Sequence, residues 1–157
     1  MRKKQMINRT VMALALLLTV SIILTILYSF INGATCRYSI NFKTDERDTF
    51  MTCYRGKVVA MHSKQSEHGD LLSKWKVEAR QFKLGDQVIH FIYSRNPIVD
   101  DRLEDSNDHF NHVTSGYRVL FYNSKRHGDK VYLFKNFPRY NVHVGTINGK
   151  LDYWDQQ

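Results

Sequence analysis

Apolar residues follow two different rhythms along this chain. Residues 11–31 form one unbroken run, VMALALLLTVSIILTILYSFI, with no charge and no proline. Coiled as a helix at 1.5 Å per residue, a run of that length spans a hydrocarbon layer about 30 Å thick. From residue 35 onward the rhythm becomes alternation with a period of two. Cys36, Tyr38, Ile40 and Phe42 fall on one side of an extended segment, and Arg37, Ser39 and Asn41 on the other. That pattern predicts a half-buried strand over residues 36–43.

Runs rich in β-branched and aromatic residues follow at 49–54, 57–63, 74–83, 87–94, 114–123 and 130–136. Alternation returns near the end, where Tyr140, Val142 and Val144 face away from Asn141 and His143. Arg55-Gly56, Gly85-Asp86, Gly128-Asp129 and Asn148-Gly149 read as short turns, and Asn-Gly is the strongest hairpin signal of the four. Two segments break the rhythm. Residues 64–73 contain Gly69, and residues 96–112 contain Pro97 near their start and carry five acids. The second is expected to hold a short helix of about two turns, with Leu103 toward the sheet. The expected fold is mainly β: one amino-terminal transmembrane helix, then a small antiparallel barrel-like or sandwich domain of about eight strands.

The junction SFINGATC (residues 29–36) decides what the long run does. A secretory signal has a shorter apolar core and small residues at its cleavage site. A cut after Ala34 would place Asn32 three positions back, and the residues before Cys36 do not form a lipoprotein box. The run is therefore expected to stay as an anchor. Arg2, Lys3, Lys4 and Arg9 precede it with no acid among them, so the positive-inside bias keeps the amino terminus cytoplasmic. The expected layout is a basic tip at 1–10, a membrane helix at 11–31 and a periplasmic β-rich domain at 35–157, in a bacterial inner membrane. A tip of ten residues is too short for a folded module, which argues against direct nucleic acid binding.

Charge changes the picture little. Outside the tip, 19 bases against 15 acids leave +4, a solvated mixed surface rather than a polyanion-binding one. The two cysteines, Cys36 and Cys53, both lie on the exported side, where a disulfide between them is expected. All seven histidines lie in the exported domain. Imidazole titrates where an acidifying environment would change its charge, and His62, His90, His109, His112 and His143 are the candidate pH-sensing residues. Of these, His90 sits in an apolar run and is expected to be buried. His109 and His112 with Asp108 form an incomplete ligand set, so no metal site is assigned. No nucleophile motif or phosphate loop is present, which predicts no catalytic residues and no cofactor. Aromatic residues are first of all core. Trp75, Phe91, Tyr117, Phe121 and Phe134 are the candidate lining of a pocket for a small apolar ligand, should the barrel be incompletely packed.

A basic tip, one span and an exported domain that opens CRYSINF and continues FMTCYRGKVVAMHS, through residue 63, resemble the MyfF/PsaF-type (FidL-like) accessory proteins of membrane-anchored winged-helix transcriptional activators. The resemblance covers the whole chain in layout and carries over no binding residue. It implies a lipocalin-like barrel without enzymatic activity. It also implies pairing with the periplasmic domain of an activator of fimbrial or virulence genes, as a heterodimer that in some relatives holds a bile-salt-type ligand. The leading expectation is thus a regulatory subunit in signal transduction, with edge strands at 130–136 or 140–147 available to the partner's sheet. The alternatives are a stand-alone tethered binding protein for a lipid or bile salt, and a tethered periplasmic chaperone.

Overall fold

The computed structural model describes residues 2–44, 47–66, 68–99, 116–136 and 140–155. The long apolar run lies in one helix, α1 (Arg2–Ala34), whose stretch Asn8–Ala34 is long and apolar enough to cross a membrane. Only Thr35 and Cys36 separate it from the first strand. Eight strands follow: β1 (Arg37–Lys43), β2 (Asp48–Tyr54), β3 (Lys57–Gln65), β4 (Leu71–Leu84), β5 (Gln87–Val99), β6 (Val119–His127), β7 (Lys130–Lys135) and β8 (Asn141–Lys150). Each pairs antiparallel with its sequence neighbours, and β8 returns to β1 to close a barrel. A closed barrel, not a sandwich, is therefore the architecture.

Period-two alternation sets the inside of the barrel. Tyr38, Ile40 and Phe42 of β1, Met51 and Cys53 of β2, Val58 and Ala60 of β3, and Val131 and Leu133 of β7 are buried. The Cys36–Cys53 disulfide spans 5.8 Å between Cα atoms and ties the entry of β1 to β2. The turns at 55–56, 85–86 and 128–129 close hairpins as expected, all at the end of the barrel where α1 arrives.

Several expectations are corrected. Asn148-Gly149 makes no hairpin; both residues lie inside β8 and pair with Ser39 and Tyr38 of β1. Gly149 has φ +102°, and a Cβ there would strike the carbonyl oxygen of Arg37. Its glycine serves a close approach of two strands instead of a turn. The break expected at 64–73 shrinks to a tight connection between Gln65 and Leu71, because β3 and β4 continue their ladder to that pair through a bulge. Pro97 belongs to β5, opposite Trp75, next to a bulge that accommodates the missing donor. The helix expected within 96–112 falls, beyond Val99, outside the described residues. Finally, β7 and β8 are not edges: each is paired on both sides, which removes them as templates for strand addition.

Candidate functional site: lumen, outer face and helix end

The lumen is polar where a simple reading would make it apolar. Gln81 of β4, 1% exposed, is its hub. Its Nε2 donates to the carbonyl of Leu151 at 3.3 Å, which fixes the amide so that Oε1 faces the barrel axis. Tyr38 Oη donates to that oxygen at 2.7 Å. His90 Nε2 lies 3.4 Å from it, an arrangement that makes Nε2 the protonated ring nitrogen. The His90 ring stands edge-on to Tyr122 at 5.3 Å. Burial away from water disfavours each charged form. It holds His90 down to about 4, pushes Tyr122 up to about 12 and raises Tyr38. The layer is thus uncharged at neutral pH.

Away from α1 the lumen turns basic. His62 pairs through Nδ1 with Thr49 Oγ1 at 2.9 Å, and His143 stands edge-on to Phe42 at 6.3 Å. The His143 pKa is lowered by burial and by the neighbouring Lys135. Lys135 is itself buried and is brought down to about 8, first by desolvation and then by Arg47. The bulge in β5 turns Arg95 inward opposite Val77, where desolvation lowers its pKa and Tyr122 opposes the shift. Trp75, opposite His62, lies on the same lumenal side of the ladder.

At the α1 end, residues 151–155 fold across the mouth of the barrel. Asp152 and Lys83 form a buried ion pair at 2.7 Å, and Lys83 Nζ also donates to the Gly85 carbonyl at 2.6 Å. Asp155 accepts from Arg126 at 2.8 Å and from the backbone of Leu151 at 2.7 Å. Trp154 Nε1 donates to Tyr28 Oη on α1 at 3.1 Å. The helix end is held as closely. Asn32 Nδ2 donates to the Lys83 carbonyl at 3.3 Å, the Phe30 and Phe82 rings lie 5.6 Å apart, and Gly33 touches the β4 backbone so closely that a Cβ would fall on the Gln81 carbonyl oxygen. An open cleft of about 540 Å³ lies at this joint, bordered by Tyr28, Asn32, Lys125 and Trp154.

The outside of the barrel carries the remaining feature. Phe91 and Tyr93 on β5, Val119 and Phe121 on β6, and Val142 and Val144 on β8 are all exposed. Phe91 pairs with Val119, Ile89 with Phe121, Phe134 with Val142 and Tyr132 with Val144. They form two apolar patches, one on β5–β6 and one on β7–β8, and across the seam between them Asn123 stands opposite Phe134 and Lys125 opposite Tyr132.

The structure therefore divides the sequence candidates. Of the proposed pocket lining, only Trp75 is on the lumenal side. Phe91 (44% exposed) and Phe121 (55%) point outward, Tyr117 is exposed before β6, and Phe134 lies on the outer side of β7. Their alternation runs in the opposite phase to the buried Ile92, Ser124 and Leu133. In β8 the lumenal side is the one bearing His143, Gly145 and Ile147. His62, His90 and His143 face the lumen; His109 and His112 lie outside the described residues. Among the described residues no group of three His, Cys, Asp or Glu side chains is placed to hold a metal. Sequence reasoning missed Gln81, Lys83, Arg126, Asp152 and Asp155. A signal for the first two was present: they continue the inward phase of Val77 and Ala79.

No protein-family model, curated protein or solved structure matches the chain.

Proposed function

We propose that the protein is a single-pass membrane-anchored accessory subunit. Its barrel docks, on the exported side of a bacterial inner membrane, onto the corresponding domain of a membrane-bound winged-helix transcriptional activator. The observation that carries this reading is the pair of neighbouring apolar patches on the outside of the barrel, on β5–β6 and on β7–β8. A solitary barrel exposes few contiguous aromatic and β-branched side chains, and a patch of this kind marks an interaction surface. Closure of the barrel directs docking to these patches rather than to a strand edge. Tethering in the same membrane raises the effective concentration of both partners, so a modest interface suffices.

The test is cross-linking in native membranes, followed by recovery and identification of the partner, for the wild type and for F91E/F121E. Recovery of one membrane-anchored DNA-binding protein, lost in the variant, supports the reading. Recovery of the chain alone, or of a second copy of itself, refutes it. The lumen supports a second reading, a tethered binding protein for an anionic amphiphile, because Trp75 turns an aromatic ring inward and Arg95 and Lys135 turn basic groups inward. Saturable binding of such a ligand by F91E/F121E, with no partner present, would favour it.

A further inference from the structure

We infer that the α1 end of the barrel, with the strap at residues 151–155, is a docking surface for anionic lipid headgroups. This rests on the reading of α1 as a membrane span. Asn8–Ala34 is 27 residues, about 40 Å of helix, whereas the hydrocarbon layer takes up about 30 Å. The last turns of α1 therefore lie at the headgroup level. The barrel is already in place there: Ser29 and Asn32 are buried, and only Thr35 and Cys36 separate helix from strand. The domain cannot swing away from the bilayer without breaking the contacts of Asn32, Gly33 and Phe30.

The strap reaches further toward the membrane than the helix end does. Trp154 is bonded to Tyr28, six residues before Ala34, which sets its indole about 9 Å nearer the membrane centre along the helix. Trp154 is 65% exposed and Tyr153 71%. Two such rings beside Tyr28 form the kind of aromatic cluster that settles at a membrane–water interface, one side apolar and the other wet. Charge points the same way. Lys83 and Arg126 are neutralised within the protein by Asp152 and Asp155. Around the same mouth, Arg55, Lys125, Lys130 and Lys150 remain exposed, opposed by Asp86 and Asp129. That excess of bases faces the layer in which anionic phosphates reside.

The chain has two tryptophans, and Trp75 on the lumenal side of β4 is the internal reference. Full-length wild type and W154F are reconstituted into vesicles of phosphatidylethanolamine and phosphatidylglycerol, with and without lipids brominated near the glycerol. The difference between the two proteins isolates Trp154. Docking predicts that the Trp154 component loses most of its emission to the brominated lipid while Trp75 keeps its own, and that K125E/K130E, which leaves both rings in place, reduces the loss. Protein that floats with the vesicles while its Trp154 component is unquenched overturns the docking and leaves the span intact. Protein that does not float overturns both. Equal quenching in vesicles of phosphatidylethanolamine alone, unchanged by K125E/K130E, overturns the anionic preference.

Discussion

At the scale of single residues the central fact is that the barrel buries groups able to carry charge and keeps those around Gln81 neutral. His90 is the clearest case. Its unfolded-state pKa is near 6.5 and its folded value about 4, so above pH 6.5 both states are neutral and stability is complete. As pH falls below 6.5 the unfolded chain takes up the proton first, and stability is lost until about pH 4, where the native imidazole also protonates. The lowered His143 adds in the same direction. The His90 contribution is on the order of 3 kcal/mol across that window. In denaturant titrations at pH 7.5 and pH 4.5, H90Q is expected to lose clearly less stability than the wild type; equal losses would remove His90 from the response. The burial of His90 was legible, because it alternates in phase with Val88 and Ile92. Its partner was not: hydropathy ranks Gln81 as a surface residue, and only ladder register and the closing carbonyl of Leu151 show why it is inside.

At the scale of elements, the strap and the β8–β1 seam decide whether the barrel stays shut. Lys83 and Asp152 are a buried pair, so removing one partner strands the other charge. D152A should cost about 3–5 kcal/mol, and K83M/D152L should lose less than the two single variants together yet stay below the wild type, because Asp152 Oδ1 also accepts from the backbone N–H groups of Trp154 and Asp155. A thermodynamic cycle over the two single variants and the double checks this, and additive losses would show that the pair is not coupled. The seam depends on Gly149. Alanine there meets both an unfavourable φ and the Arg37 carbonyl, so G149A should cost about 2–3 kcal/mol or more. Hydrogen exchange should quicken first at the amides of β1 that face β8. Most strands were legible because period-two alternation is a local signal. The misassigned hairpin at Asn148-Gly149 shows the limit of local signals: the same dipeptide serves a turn or a close strand crossing, and only the identity of the residue across the ladder distinguishes them.

At the scale of the whole molecule, helix, barrel and apolar face form one rigid sequence of contacts. α1 is fixed to β4 by Asn32, Gly33 and Phe30, β4 pairs with β5, and the face that carries the apolar patches begins on β5. The direction of that face relative to α1 is therefore set by the joint at residues 29–36, which the sequence marked as the junction between apolar run and domain without showing that it is rigid. A flexible tether and a rigid one make different predictions for the proposed partner. Inserting a short Gly-Ser segment between Ala34 and Thr35 together with G33L, whose side chain has no room against the Gln81 carbonyl, keeps the apolar helix, the disulfide and the barrel, but frees the face to reorient. If tethering alone suffices, capture of the partner falls only slightly, since effective concentration declines slowly with linker length. If the joint aims the face, capture falls steeply although the barrel unfolds at the same denaturant concentration as before. The rigid contacts at Gly33, which admit no side chain at all, favour the steep fall, and quantitative cross-linking of the inserted variant against the wild type in the same membranes decides between the two.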